Sequence, residues 1–278
     1  MTIRIVTDSA CDLPQATASE LGIEIVPLTI RFGDEEFVDR RDLTPELFWE
    51  RCASSATLPE TAAPAPGAFE EAYRKLAGEG ATGVVVVSLS AALSATMQSA
   101  ELAARSVDGD IPVEVVDSRS ATMGQGMIAV AAARLAAGGA SMNEVADAVR
   151  SLSGRTKVWG ALDTLDNLKK GGRIGGAKAM LASVLSIKPI IEVRDGKVEE
   201  GGKQRTRSKA LAFLVDKVRS YGEIDNVAVL HAACSDVDGF VAQIGEVSGR
   251  DVLVGNIGPV VGSHAGIGTI GVTFLTPA

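Results

Sequence analysis

A chain of 278 residues with net charge −8, 46% hydrophobic but only 4% aromatic residues, has the size of one large domain or two ordinary ones. The acidic balance argues against general affinity for nucleic acid or an anionic membrane surface. Three scattered cysteines, Cys11, Cys52 and Cys234, form no C-x-x-C pair, which indicates neither a disulfide framework nor a zinc site.

In chain order, Ile3 to Val6 reads as a short strand with Thr7-Asp8-Ser9 at its end. Asp12 is expected to cap the next helix, Pro14 falls in its first turn and Gly22 closes it. Ile23 to Ile30 and Glu36 to Val38 read as strands joined through the hairpin Phe32-Gly33-Asp34. Thr44-Pro45-Glu46 starts a helix reaching about Ser54. Pro59, Pro64 and Pro66 then hold the chain extended, and Phe69 to Leu76 is helical. Thr82 to Val87 is apolar and β-branched, the pattern of a strand buried on both faces. The hydroxyl-rich loop Ser88 to Thr96 follows, then a helix to about Arg105 and a strand, Val113 to Val116, ending in Asp117-Ser118. If those strands are parallel, Asp8-Ser9, Ser90 to Ser94 and Asp117-Ser118 converge on one crevice.

Helices at about 122–137 and 143–152 come next, and the alternating rhythm restarts with Lys157 to Leu162. This places a domain boundary near Ser153-Gly154, with domains 1–153 and 154–278. A short helix, Leu165 to Ile174 with paired glycines, precedes a helix at about 176–185 and a strand, Ile187 to Val193, whose turn Asp195-Gly196 suits a tight hairpin. Lys197 to Glu200 returns; Lys203 to Arg207 opens a helix to about Tyr221. Strand Asn226 to His231, helix Asp236 to Ser248, strand Val252 to Ile257 and strand Thr269 to Leu275 complete the chain. The fold class is α/β: an N-terminal, mostly parallel sheet with flanking helices, then a mixed sheet with helices.

Between the last two strands lies Gly255 to Gly271, in which six glycines surround His264, one of only two histidines. Such a loop suits a clamp for a polar ligand or a tight turn. Gly266-Ile267-Gly268-Thr269-Ile270-Gly271 matches the dinucleotide fingerprint, but a strand-like run follows where that motif requires a helix. No P-loop, nucleophile elbow, H-E-x-x-H or acidic calcium loop occurs, and no metal site is indicated. Ser94, His264 and Asp8 or Asp117 could form a hydrolase relay on paper. Two basic groups stand out, Lys169, Lys170 and Arg173, and Lys203, Arg205 and Arg207. Each is either solvated charge or a docking rim for an acidic partner or phosphate-bearing cosubstrate.

Eight short motifs occur in register: Thr7-Asp8-Ser9 with Asp12-Leu13-Pro14, Thr61-x-x-Pro64, Leu93-Ser94-x-Thr96, Asp117-Ser118, Leu168 to Ile174, Lys188-Pro189, Arg205-Thr206-Arg207, and Gly258 to Gly266 around His264. End to end this series resembles the bacterial DegV family, the fatty-acid-binding subunits of fatty acid kinase. The resemblance implies two α/β domains burying a long-chain fatty acid, and a separate kinase subunit that supplies ATP and makes the acyl phosphate. It implies that the chain is not an enzyme on its own and needs no cofactor. By that likeness Thr61, Ser94 and His264 hold the carboxylate, with Thr96 beside them, while Arg205 and Arg173 serve phosphotransfer or kinase docking. Ala62, Ala92, Ala95, Ala265 and Ile267 depart from the family pattern and bear on which acid is bound. An acyl hydrolase using Ser94 and His264, or a subunit of a phosphotransfer system for a small polar substrate, are the alternatives. The opening residues show no signal-peptide pattern and the apolar runs fall short of a membrane span, so a cytoplasmic location without stable membrane insertion is expected.

Overall fold

The computed structural model describes residues 2–182 and 187–277. Strands β1 (Ile3–Asp8), β2 (Glu24–Val26), β6 (Gly83–Ser88) and β7 (Val113–Asp117) form a parallel sheet in the order β2-β1-β6-β7. Its consecutive valines, Val84 to Val87, are fully buried because both faces are covered, as parallel sheets require. Val84 and Val86 pack with helices α3 (Pro66–Gly78) and α4 (Thr96–Ser106). Val85 and Val87 face α5 (Thr122–Ala137). Helix α1 (Gln15–Glu20) connects β1 to β2.

Strands β3 (Thr29–Phe32), β4 (Glu35–Val38) and β5 (Glu60–Ala62) make a small antiparallel sheet in which Ile30 pairs with Thr61. The run Ile23 to Ile30 is therefore two strands in different sheets, not one. Pro27, which lacks an N–H, sits at the break. Helix α2 (Pro45–Ser54) starts at Thr44, whose Oγ1 accepts from Leu47 N–H.

The second sheet has six strands in the order β10-β9-β8-β13-β11-β12. These are β8 (Thr156–Ala161), β9 (Lys188–Arg194), β10 (Lys197–Gln204), β11 (Asp225–His231), β12 (Leu253–Asn256) and β13 (Ile270–Leu275). Only β11–β12 is parallel, so the sheet is mixed. Asp195 and Gly196 both take positive φ at the β9–β10 hairpin, the geometry such turns need. Helix α6 (Met142–Arg155) runs through Ser153 and Gly154 directly into β8.

The period of two along each strand gives the mixed sheet two faces. Trp159, Ala161, Val229, Val272 and Phe274 pack with α8 (Arg207–Ser220) and α9 (Val237–Ser248). Residues of the alternate register, among them Val158, Gly160, Leu230, Gly271 and Thr273, look the other way. Helix α5 lies between the two sheets, touching β1 and β6 on one side and β8, β11 and β13 on the other. Such a helix must be apolar all round, and α5 is rich in buried alanines, from Ala129 to Ala136.

Three local expectations need correction. Asp12 does not cap α1, whose N-cap is Pro14: it ends the 3-10 turn Ser9–Cys11 with φ 50°, and its carboxylate accepts from Thr122 Oγ1 and the Gly258 N–H. The segment around His264 is not a loop but a helix, α10 (Pro259–Ala265). The helix expected at 176–185 is a 3-10 helix over Gly175–Ala182, and 183–185 lie outside the described residues.

Candidate ligand site

Thr61 on β5, Ser94 ahead of α4, Arg173 beyond α7 (Asp166–Lys170) and His264 in the last turn of α10 line one cavity. Its volume is about 120 Å³, well above the roughly 10–15 Å³ one water requires. The remainder of its wall is largely hydrocarbon, with Leu28, Leu89, Leu93, Val158, Ile191 and Val260 among its lining residues. A wall of that kind suits an apolar guest better than water.

Helix α10 is short and holds Gly262 at its middle against propensity, so tertiary contacts must fix it. A Cβ on Gly262 would come within 2.7 Å of Trp49 and 2.8 Å of Phe48, so only glycine lets α10 approach α2 this closely. The Gly258 N–H bonds Asp12 Oδ1 at 3.0 Å, Asn167 Nδ2 donates to Ser263 C=O at 3.0 Å, and Trp49 Nε1 donates to Ile257 C=O at 3.2 Å. Gly171, at the end of α7, leaves space for the imidazole, since a side chain there would strike His264 Nδ1.

His264 Nε2 lies 2.8 Å from Thr61 Oγ1. Burial, with the charge of Arg173 adding to it, lowers the imidazole pKa to about 4, so the ring is neutral at physiological pH. With its hydrogen on Nε2 it donates to Thr61 and leaves the Thr61 hydroxyl hydrogen for an incoming oxygen. Arg173 Nε donates to Leu93 C=O at 2.9 Å and Nη1 to Gly171 C=O at 2.6 Å. That fixes the guanidinium, and among the described residues Nη2 has no hydrogen-bond partner. Ser94 Oγ lies 2.9 Å from Thr96 Oγ1. Thr96 is fully buried behind Ser94 and is not part of the cavity wall.

The converging strand ends are used to tie the structure together. Asp8 accepts from Leu89 and Ala10 N–H and from Gln125 Nε2, and burial raises its pKa to about 6. Ser90 Oγ donates to Gly196 C=O at 2.7 Å, joining the first sheet's loops to the β9–β10 hairpin. No Ser–His–Asp relay is assembled among the described residues: His264 bonds Thr61, and its Nδ1 has no partner.

Arg205 stands elsewhere. It is exposed and lines a surface groove with Asp163, Asp166 and Lys188. Arg207 is committed to Asp236, to Gly268 C=O and to Cys234 Sγ. Lys170 Nζ donates to Leu58 C=O at 2.8 Å. Sequence reasoning did not single out Asn167, Gly171 or Asp12 as supports of the histidine. Gly171 lay inside the Leu168 to Ile174 motif and Asn167 just before it, but no spacing rule ties either to a residue almost a hundred positions away.

The family model described as "Uncharacterised protein, DegV family" matches residues 2–277. The chain belongs to the DegV family. A DegV domain-containing protein of Streptomyces coelicolor is 36% identical over 236 residues, 84% of this chain and 83% of that protein. A solved structure presented as the fatty acid binding of a DegV family protein from Thermus thermophilus covers 100% of both chains, with 33% identity and a TM-score of 0.91. Another, presented as a stearic-acid-binding protein from Eubacterium ventriosum, matches at 25% identity and TM-score 0.90, covering 99% of this chain and 98% of that one. This DegV chain shares its overall fold with them along its whole length. Among its described residues no helix is long and apolar enough to cross a membrane.

Proposed function

We propose that this DegV protein binds a long-chain fatty acid in the cavity, with the carboxylate at Thr61, Ser94 and His264, and presents that carboxylate to a separate ATP-dependent kinase. The supporting observation is the make-up of the cavity: hydrocarbon walls over most of its surface, together with a neutral histidine paired with a threonine and under the charge of an immobilised guanidinium. Each buried methylene contributes about 0.8 kcal/mol, and a hydrogen bond to a charged group nets about 1.5–3 kcal/mol. The tail therefore sets the affinity, and the polar end sets the orientation. The solved relatives described as binding fatty acids favour the same ligand class.

Transfer to a kinase subunit is the finer part of the proposal. It is supported by the lack of an assembled catalytic relay among the described residues and by Arg173 at the carboxylate end. Arg205, on its separate groove, is the residue we assign to docking the kinase. An organic extract of the purified protein, analysed by mass spectrometry, is expected to contain fatty acid in near-stoichiometric amount. A lipid-free protein that also fails to take up added fatty acid would overturn the reading. His264→Ala is expected to lower phosphorylation of the bound acid more than its binding, and an equal loss of both would contradict that division of roles.

A further inference from the structure

Four cavity-lining residues, Ile191, Gly160, Gly271 and Leu230, form one row across the neighbouring strands β9, β8, β13 and β11. Adjacent strands lie about 4.8 Å apart, so roughly 14 Å of wall separates the two large side chains. Between them the wall is glycine backbone alone. One row along, Val193 and Val158 stand side by side on the same face. Gly271 belongs to an interior strand yet stays partly accessible, so the hollow over the glycines opens into the cavity.

The fold gives no reason for glycine at position 160. A glycine inside a strand weakens it relative to alanine and marks a place where another group comes close. Gly160 does not take positive φ. A Cβ there would point with Val158 and Leu162 to the cavity face, and would meet nothing nearer than the Ile191 and Leu162 side chains at 3.7 Å. That is ordinary contact, with no clash. Every other buried glycine among the described residues either takes positive φ, as Gly196 and Gly266 do, or would press a Cβ to within 3.1 Å of another atom, as Gly262 would. Even Gly271 has a reason inside the protein, since its Cβ would come within 2.9 Å of Trp159 C=O. Gly160 is left with space that the chain itself does not need.

We propose that Gly160 sets the length limit of the bound acid: the ligand's hydrocarbon tail fills the space that its missing side chain leaves. The proposal rests on the fatty-acid reading above. Each carbon added at position 160 takes the place of about one methylene of the ligand. A methylene denied burial weakens binding about fourfold. The longest acids lose most, because an acid shorter than the limit does not reach into the filled space.

The test is titration calorimetry of stearic and lauric acid on delipidated full-length protein, comparing wild type with Gly160→Ala and Gly160→Val. Stearic acid should bind about fourfold more weakly to Gly160→Ala and about sixtyfold more weakly to Gly160→Val. Lauric acid, the shorter of the two, should lose less than about twofold in either variant. Empty Gly160→Ala should melt at or above wild type, because the glycine penalty is removed and the added methyl meets no clash. Stearic acid binding that is unchanged in Gly160→Val, or an equal loss for both acids, would overturn the proposal while leaving the fatty-acid reading intact. So would a lower melting temperature for empty Gly160→Ala, which would show that packing requires the glycine. Failure of wild type to bind either acid would overturn both.

Discussion

Thr61 Oγ1 and His264 Nε2 meet at 2.8 Å although 203 residues separate them in the chain. One comes from a three-residue edge strand, the other from the last turn of a short glycine-containing helix. Removing the hydroxyl should leave the fold intact and weaken the grip on a carboxylate. Thr61→Val is expected to lower stearic acid affinity about ten- to a hundredfold, the range for a hydrogen bond to a charged group, with little change in melting temperature. Calorimetric titration of the delipidated protein checks this, and an unchanged affinity would remove Thr61 from the site.

The charge of Arg173 adds to burial in depressing the His264 pKa to about 4. Arg173→Gln should therefore raise that pKa, but leave it below the ordinary histidine value, because burial is the larger cause. With only two histidines in the chain, their ring signals are readily followed by NMR across a pH series. A His264 signal that titrates identically in both proteins would place the guanidinium too far away to matter.

Gly171 borders the imidazole closely enough that an added methyl would collide with Nδ1. Gly171→Ala should displace the ring, break the contact with Thr61 and cost about 1–3 kcal/mol of stability, as overpacking does. The same substitution at the exposed Gly172 is no control, since that residue has φ +70°, strained for alanine. Denaturant unfolding with parallel stearic acid titration separates the two effects.

Stability should depend on pH through the buried acids. Burial raises the pKa of Asp12 to about 7 and that of Asp8 to about 6, above the roughly 3.9 of an unfolded chain. The folded state binds those protons more tightly, so these groups make the protein more stable as pH falls from about 7 toward 4. His264 acts in the opposite sense between about 6.5 and 4, where the unfolded chain binds more protons. Asp12→Asn keeps an acceptor for Gly258 and a donor for Thr122. It should raise the melting temperature at pH 8 more than at pH 5. An equal shift at both values would mean that Asp12 is ionised throughout.

Much of the fold was legible because its signals are local. The valine run at β6, the Thr44 cap and the Asp195-Gly196 turn each carry their reason within a few residues. Helix α10 was not legible, because its stability lies in the closeness of Gly262 to Phe48 and Trp49 and in bonds from Asn167 and Asp12. Asp12 misled for the same reason: its partners, Thr122 and Gly258, are more than a hundred positions away. The residues of the polar end stood out by type and motif. Their convergence was legible only through the family resemblance and not from any spacing, because it depends on how the two sheets meet around α5.

The central claim, that an apolar cavity holds the chain while Thr61, Ser94 and His264 orient its carboxylate, is tested most directly by titrating the delipidated protein with stearic acid and with methyl stearate. The account predicts one saturable site for the acid and at least about tenfold weaker binding of the ester, which lacks the charged head group. Absence of saturable binding by stearic acid, or equal affinity for acid and ester, would contradict it.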